Sequence, residues 1–353
     1  MMSPNIKENH HIDLILQDET HLHFDATEAT SVLKAAAEAG WILPALCQEG
    51  GCGHCRASCL DGIYHLDPYS EAALSQNEAQ KGGVLLCRLH AQSDLILHAP
   101  FGHNAIQTEK PQIRHAQITE KKNLGGKTIQ LILTLEPNED GDQSAAFEAG
   151  QFVQIAIPHT NIWRAYSLAN IPNWTGELEF LIRVQPEGLF STWLQEHATI
   201  GTIVPVQLPR GNFTLKDNGL RPRWFVGGGT GLAPLLSMLR HMAEWQDPQP
   251  VRLYFGVNTE AELFDLSSLD ALKMQLPALK ISICIWHPSA TWKGLTGTPI
   301  DFLLSDLKNV PSFPDLYLCG PSGLIEAAEQ AARTAGIPEK QIMSERFLPS
   351  GQG

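Results

Sequence analysis

No window of this 353-residue chain approaches 18 uninterrupted apolar positions, so no membrane-spanning helix is expected. The opening MMSPNIKENHHIDL lacks a basic stretch followed by a long apolar run, so no secretory signal is expected. Positive charge is scarce. The 25 Lys and Arg stand against 38 Asp and Glu, a formal net charge of −13, which argues against a nucleic-acid partner. Internal repeats and low-complexity tracts are lacking. No convincing triad offers a protein nucleophile or general base. The 14 histidines, nine of them before residue 105, show no spacing that reads as a metal site. Cysteine is sparse as well: seven, an odd number, in a chain with no signal, which suits a reducing cytoplasm better than a disulfide framework.

Four of those seven carry the strongest signal present. Cys47, Cys52 and Cys55 follow the spacing C-x4-C-x2-C within CQEGGCGHC, and Cys87 comes in LLCRLH. That is the plant-type spacing for a [2Fe–2S] cluster held by four thiolates. Gly50, Gly51 and Gly53 let the main chain wrap closely around such a group. Structural zinc, the competing reading, more often uses paired C-x2-C knuckles.

The length suits two or three domains. Residues 1–102 read as a small β-grasp ferredoxin: alternating strands at 11–16 and 21–24, a helix capped by Ser31, the cysteine loop, and a last strand at 93–98. Residues 103–112, with few apolar positions, read as a linker. Over 113–217 come short alternating runs (IQLILTL, QFVQIAI, RAYSLA, LEFLIRV, IVPVQLP), the pattern of an antiparallel β-barrel. From 218 to 353, near-continuous apolar strands alternate with helices, which predicts a doubly wound parallel α/β domain. The fold class expected is therefore α+β and α/β multidomain. Charge is uneven along the chain: residues 1–105 hold five basic and 13 acidic residues, a net of −8. This is compatible with steering toward a basic protein partner, and equally with plain solubility.

Two sets of residues in the second half suggest cofactors. In RAYSLAN, Arg164 can pair with a flavin pyrophosphate, Tyr166 can lie beside its ring, and Ser167 can hydrogen-bond its hydride-accepting nitrogen, with Ala165 between them. Gly188, Ser191 and Thr192 open a helix whose first amides and hydroxyls suit the pyrophosphate, although Ser191 could equally be an ordinary cap. Arg183 is a candidate for the adenosine half. The run GGGTG, including Gly228, Gly229, Thr230 and Gly231, directly follows the strand RWFV and permits close approach of a dinucleotide. Cys319, Gly320 and Pro321 end a later strand, where Cys319 could pack on a nicotinamide or simply be a buried cysteine. Glu260 and Glu262, with no basic residue beside them, favour NADH over NADPH unless both are merely solvated.

With the cysteine loop, RAYSLAN, GGGTG and LCGP in this order, the chain resembles the ferredoxin-NAD reductase components of bacterial multicomponent oxygenases over nearly its whole length. The likeness is nearest to the reductase of soluble methane monooxygenase and its short-alkane relatives, through LEFLIRVQPEGLFS, FVGGGTGLAP, YFGVNTEAELF, DLYLCGP and ERFLPSG. The resemblance implies a ferredoxin-NADP reductase-like fold, NADH, FAD and a [2Fe–2S] cluster, and a diiron hydroxylase as electron acceptor. It also implies that Phe347 covers the flavin face where nicotinamide enters, and that Ser167, Cys319 and Phe347 surround the reacting atoms. Leu324 and Arg346 depart from residues commoner in relatives, methionine and lysine. Cys59, which recurs in relatives, is read as a small core residue. A monomer is expected. The rivals are a reductase feeding a Rieske dioxygenase, a bare ferredoxin with a degenerate flavoprotein tail, and a flavoreductase for a cytochrome or dye-like acceptor.

Overall fold

The structure is a computed structural model, and it describes residues 9–45, 48, 50–51, 53–71, 73–106, 112–217 and 219–347. The chain divides into two compact units, one ending at Pro111 and the other spanning Gln112–Phe347.

The first unit is built on strands β1 (Asn9–Ile15), β2 (His21–Thr27), β3 (Arg56–Asp61), β5 (Gly83–Leu85) and β7 (Leu95–His98), in the sheet order β2-β1-β7-β3-β5. A second small sheet pairs β4 (Tyr64–Leu66) with β6 (Leu89–Ala91). The β1–β2 hairpin alternates strictly, sending Ile12, Leu14, Leu22 and Phe24 inward and polar residues outward. Helix α1 (Val32–Glu38) begins where the Ser31 hydroxyl accepts from Lys34 N, and it buries Val32, Leu33, Ala35 and Ala36 against the sheet. Helix α2 (Gln76–Gln80) is fixed by a reciprocal Ser75–Glu78 capping box. The parallel pairing of β1 with β7 across the sheet centre makes this a β-grasp arrangement. Residues beyond β7 still pack on this unit. Phe101 and Ile106 join its core, and His103 N donates to Asp18 Oδ2 at 2.8 Å.

The second unit opens with an antiparallel sheet of six strands: β8 (Ile113–Gly125), β9 (Thr128–Leu135), β10 (Phe152–Ala156), β11 (Trp163–Ser167), β12 (Glu177–Arg183) and β13 (Ile203–Arg210). Their order is β11-β10-β13-β8-β9-β12, and a bridge between Leu168 and Phe180 brings the two edges together as a barrel. Strand β8 is absent from the sequence reading. Its RHAQITEKKNLG buries only Ala116 and Ile118, so a mostly solvated strand leaves little apolar signal. Helix α3 (Leu189–Glu196) plugs one end of the barrel with Phe190 and Leu194.

The remaining strands form an all-parallel sheet: β14 (Arg223–Gly228), β15 (Val251–Val257), β16 (Leu279–Ile285), β17 (Leu295–Thr296), β18 (Asp315–Pro321) and β19 (Ile342–Phe347), ordered β17-β16-β15-β14-β18-β19. Helices α4 (Leu232–Glu244) and α5 (Leu266–Gln275) cover one face. Helices α6 (Pro299–Leu307) and α7 (Ser322–Thr334) cover the other. Strand alternation decides the faces: Phe225, Tyr317 and Cys319 turn toward α4, whereas Trp224, Leu316 and Leu318 turn toward α6 and α7. The α4 core also takes in Ala169, Leu181 and Phe213 from the barrel, so the barrel and the α/β layer share buried surface. The expected three-part architecture is present.

Candidate functional site

In the first unit, the loop before β3 and the turn after β5 converge on a pair of buried thiols. Cys55 Sγ and Cys87 Sγ lie 3.2 Å apart, within hydrogen-bonding reach of each other and beyond a covalent S–S bond of about 2.05 Å. Leu86 N donates to the Cys55 carbonyl at 2.9 Å, which locks the two cysteine-bearing segments together. Arg56 braces the loop, with Nε on the Ala73 carbonyl at 2.6 Å and Nη1 on Glu78 at 2.8 Å. Gly50 holds φ +72°, and a Cβ there would meet Arg88 Cγ and Tyr69 Cβ at 2.9 Å. The tight, side-chain-free turn is thus a steric requirement. Two soft thiols side by side under a glycine turn fit an iron–sulfur cluster. Cys47 and Cys52 lie outside the described residues. Cys59 is half-buried with its Sγ 3.3 Å from the Asp61 carbonyl, and burial pushes its thiol pKa up.

In the barrel, β11 carries Arg164 and Tyr166 on one face and Ala165 and Ser167 on the other. The Tyr166 ring lies 5.0 Å from that of Phe190, which places β11 beside the first turn of α3. Burial pushes the Tyr166 phenol up, so it stays neutral. Arg164 donates from Nη1 to the Trp163 carbonyl. At α3, Gly188 is the capping residue and Thr192 is exposed, while the buried Ser191 Oγ accepts from Gln185 N at 2.9 Å. That oxygen therefore closes the preceding turn. Arg183, at the end of β12, reaches across: its Nη2 lies 3.8 Å from Glu262, and its Nη1 lies 3.7 Å from where a Gly229 Cβ would stand. It thus touches the glycine turn of the α/β layer.

The sheet order makes the third part of the site. Chain direction reverses its march across the sheet between β14 and β18, a switch point where the two carboxyl ends leave a crevice. Gly228, Gly229, Thr230 and Gly231 leave β14 there, and Cys319, Gly320 and Pro321 end β18 alongside, with Gly227 opposite Cys319. Gly231 packs directly on that strand: a Cβ would sit 2.3 Å from the Cys319 carbonyl oxygen. Glu260 stands at the carboxyl end of β15, its Oε1 accepting from Ser289 N at 2.8 Å and Ser289 Oγ at 2.6 Å, which lowers its pKa. Phe347 closes β19 opposite Pro321 and packs against the same core as Cys319.

One residue at this crevice escaped the sequence reading. Glu345 on β19 is buried opposite Cys319, and Ser167 Oγ donates to its Oε2 at 3.3 Å. Desolvation raises the Glu345 pKa to about 7, with the Ser167 hydrogen bond pulling the other way. Cys319 is pushed well above its ordinary value, first by burial and then by the Glu345 charge, so its thiol stays protonated. Ser167, Cys319 and Glu345 therefore form a buried cluster joining barrel and α/β layer. Its only indication in the sequence was the acidic residue of ERF in an otherwise amphipathic edge strand.

A thiol pair under a glycine turn, an Arg/Tyr/Ser strand in a barrel, and a glycine turn at a sheet switch point define an iron–sulfur flavoprotein oxidoreductase. The comparisons agree segment by segment. Residues 15–92 match the 2Fe-2S iron-sulfur cluster binding domain, 115–215 the oxidoreductase FAD-binding domain, and 225–330 the oxidoreductase NAD-binding domain. The chain is 34% identical over 342 residues to the anthranilate 1,2-dioxygenase electron transfer component of Acinetobacter baylyi, covering 97% of this chain and 98% of that one. It is 38% identical over 273 residues to methane monooxygenase component C of Methylosinus trichosporium, covering 77% and 80%. Among solved structures, an Amycolatopsis cytochrome P450 reductase superposes with a TM-score of 0.74 at 26% identity, covering 96% of this chain and 100% of that one. The chain belongs to the reductase family of multicomponent oxygenases, with a [2Fe–2S] cluster, FAD and a nicotinamide dinucleotide as its cofactors. It is an oxidoreductase, the electron-transfer component of an oxygenase system.

Proposed function

We propose that this chain is the NADH-dependent reductase of a soluble diiron monooxygenase that oxidises methane or a short alkane. The observation that carries the reading is the higher identity to the methane monooxygenase component. A second reading, a reductase for an aromatic-ring dioxygenase with a Rieske centre, is favoured by the match to the anthranilate dioxygenase component, which extends through the ferredoxin unit. Mixing the purified chain separately with a diiron and a Rieske hydroxylase, and following NADH-driven product, decides between them. Product with the Rieske enzyme alone overturns the first reading.

The cofactors together supply conversion of a two-electron donor into single electrons for the partner. The protein's part is to bind, orient and manage protons. Arg164 and the first turn of α3 hold the flavin pyrophosphate, with Gly188, Ser191 and Thr192 shaping that end, while Arg183 binds at the junction with the glycine turn. Tyr166 and Ala165 bound the ring. Gly228 to Gly231 and Gly320–Pro321 admit the nicotinamide dinucleotide, and Glu260 receives the adenosine ribose, which selects NADH. Phe347 would cover the flavin face that a nicotinamide must approach. Ser167 would present its hydroxyl to the flavin, and Glu345, with a pKa of about 7, would hold the proton at the Ser167 hydroxyl that it already accepts from. Neutral Cys319 would line the nicotinamide side without adding a charge. Cys47, Cys52, Cys55 and Cys87 hold the cluster. The proposed domain limits are 1–106, 113–217 and 218–353, with 103–106 packed on the first domain and not part of a free linker, in a monomeric cytoplasmic protein.

A further inference from the structure

One face of the β1–β2 hairpin collects three histidines and two aspartates. The antiparallel register sets His11 opposite Asp25 and Asp13 opposite His23, with His21 next along the strand. The other face of the same strands is committed to the core, so these five side chains project into solvent. Asp13 Oδ1 lies 2.8 Å from His21 Nδ1 and 3.5 Å from His23 Nδ1. The three ligand atoms all lie within 4.8 Å of one another. The His11 ring stacks on that of His23 at 5.5 Å, and Asp25 Oδ1 is 3.3 Å from His11 Nδ1, so the cluster is braced from behind.

We propose that Asp13, His21 and His23 form a surface site for one divalent transition-metal ion of the zinc, nickel or copper(II) type. Two imidazoles and one carboxylate are the donors such borderline ions prefer, whereas calcium and magnesium ask for six or more oxygens. The geometry suits coordination. With metal–ligand bonds of about 2.0–2.2 Å at a tetrahedral angle, donor atoms stand about 3.3–3.6 Å apart. The His23–Asp13 distance of 3.5 Å falls in that range, and the His21–Asp13 distance of 2.8 Å needs only a small opening to reach it. A strand presents His21 and His23 on the same side because their spacing is two, and the sheet holds both, so little ordering remains for the ion to impose. Electrostatics favours a cation. No Lys or Arg occurs between residues 9 and 27, in a segment whose net charge over 1–105 is −8. With His21 and His23 about half exposed, the ion enters from water and keeps water at its remaining positions.

A second cluster, His65, Asp67 and His90, also brings its ligand atoms together, but Arg88 stands 3.9 Å from Asp67 and opposes a divalent cation there. It serves as the control. The test uses the full chain, loaded with cluster and flavin and free of any added histidine tag. Zinc chloride is titrated in competition with a chromophoric zinc indicator while the cluster's visible absorbance is followed. The expected result is one zinc ion per chain with the absorbance unchanged. Affinity should fall about tenfold or more in His21→Ala, His23→Ala and Asp13→Asn, and remain at the wild-type level in His90→Ala. NADH-driven dye reduction should be the same in all four variants. Equal zinc uptake by the wild type and a His21→Ala/His23→Ala double variant, or loss of binding in His90→Ala alone, overturns the proposal.

Discussion

At the scale of single residues, the site depends on what burial does to two groups in contact. Glu345 is an acid whose folded pKa, about 7, stands above the ordinary 4.5. Protons therefore favour the native state. The contribution is fully present below pH 4.5 and is lost as pH rises through 7. At about 1.4 kcal/mol per pH unit the interval amounts to roughly 3 kcal/mol. Glu345→Gln should remove that slope, so its thermal midpoint should change less between pH 5 and 8 than that of the wild type. The same substitution should flatten the pH profile of NADH-driven dye reduction around neutrality. Ser167→Ala, by contrast, should keep its bound flavin and lose about 100-fold or more in turnover, since one positioned proton-transfer group is commonly worth about 10²- to 10⁴-fold. Retention of full turnover in Ser167→Ala would remove the hydroxyl from the reaction. Among the cysteines, Cys87→Ser should abolish the cluster's visible absorbance, whereas Cys59→Ser should leave it, because Cys59 faces a backbone carbonyl rather than the Cys55–Cys87 pair.

At the scale of elements, the glycine turn after β14 and the helix that follows depend on close packing. Gly231→Ala places a methyl 2.3 Å from the Cys319 carbonyl oxygen, a backbone atom that cannot swing away. The expected cost is about 1–3 kcal/mol, read as an earlier urea midpoint, with weakened NADH binding because the turn itself must shift. These parts of the fold were legible for a physical reason. Strands such as VRLYFGV and DLYLCG are covered on both faces, so they appear as near-continuous apolar runs between turn signals. Where burial is one-sided or short, the signal fades. The three-residue strands β4, β5 and β6 are too brief to show a period, and the long β8 is mostly solvated. Glu345 was hidden by the same logic. It is the one buried position of β19 and it carries an ionisable acid, whereas such residues are expected outside unless they are paired. Only the register, which sets β19 beside β18 and Ser167 against it, reveals why an acid stands there. The hairpin histidines were illegible in the same way, since Asp13 joins them only across the turn.

At the scale of the whole molecule, each of the two units has its own buried core, with Ile12, Leu14 and Leu97 at the centre of one and Phe225, Leu236 and Phe255 in the other. The residues proposed to serve flavin and nicotinamide all belong to the second unit, and the four cysteines proposed for the cluster all belong to the first. Chemistry and folding are therefore partitioned along the same line. A fragment spanning 112–353 carries every group needed to take electrons from NADH, so it should reduce ferricyanide at close to the rate of the full chain. It should deliver nothing to an oxygenase hydroxylase, because the thiols that would pass single electrons outward are gone. Comparing the two assays on the fragment tests the direction of flow. If the fragment still supported hydroxylase turnover, electrons would be leaving from the flavin unit and the cluster would not be the exit. If the fragment lost ferricyanide reduction while keeping its flavin, the first unit would be contributing to hydride transfer itself, a role that the Ser167–Glu345–Cys319 cluster, complete within the second unit, gives no reason to expect.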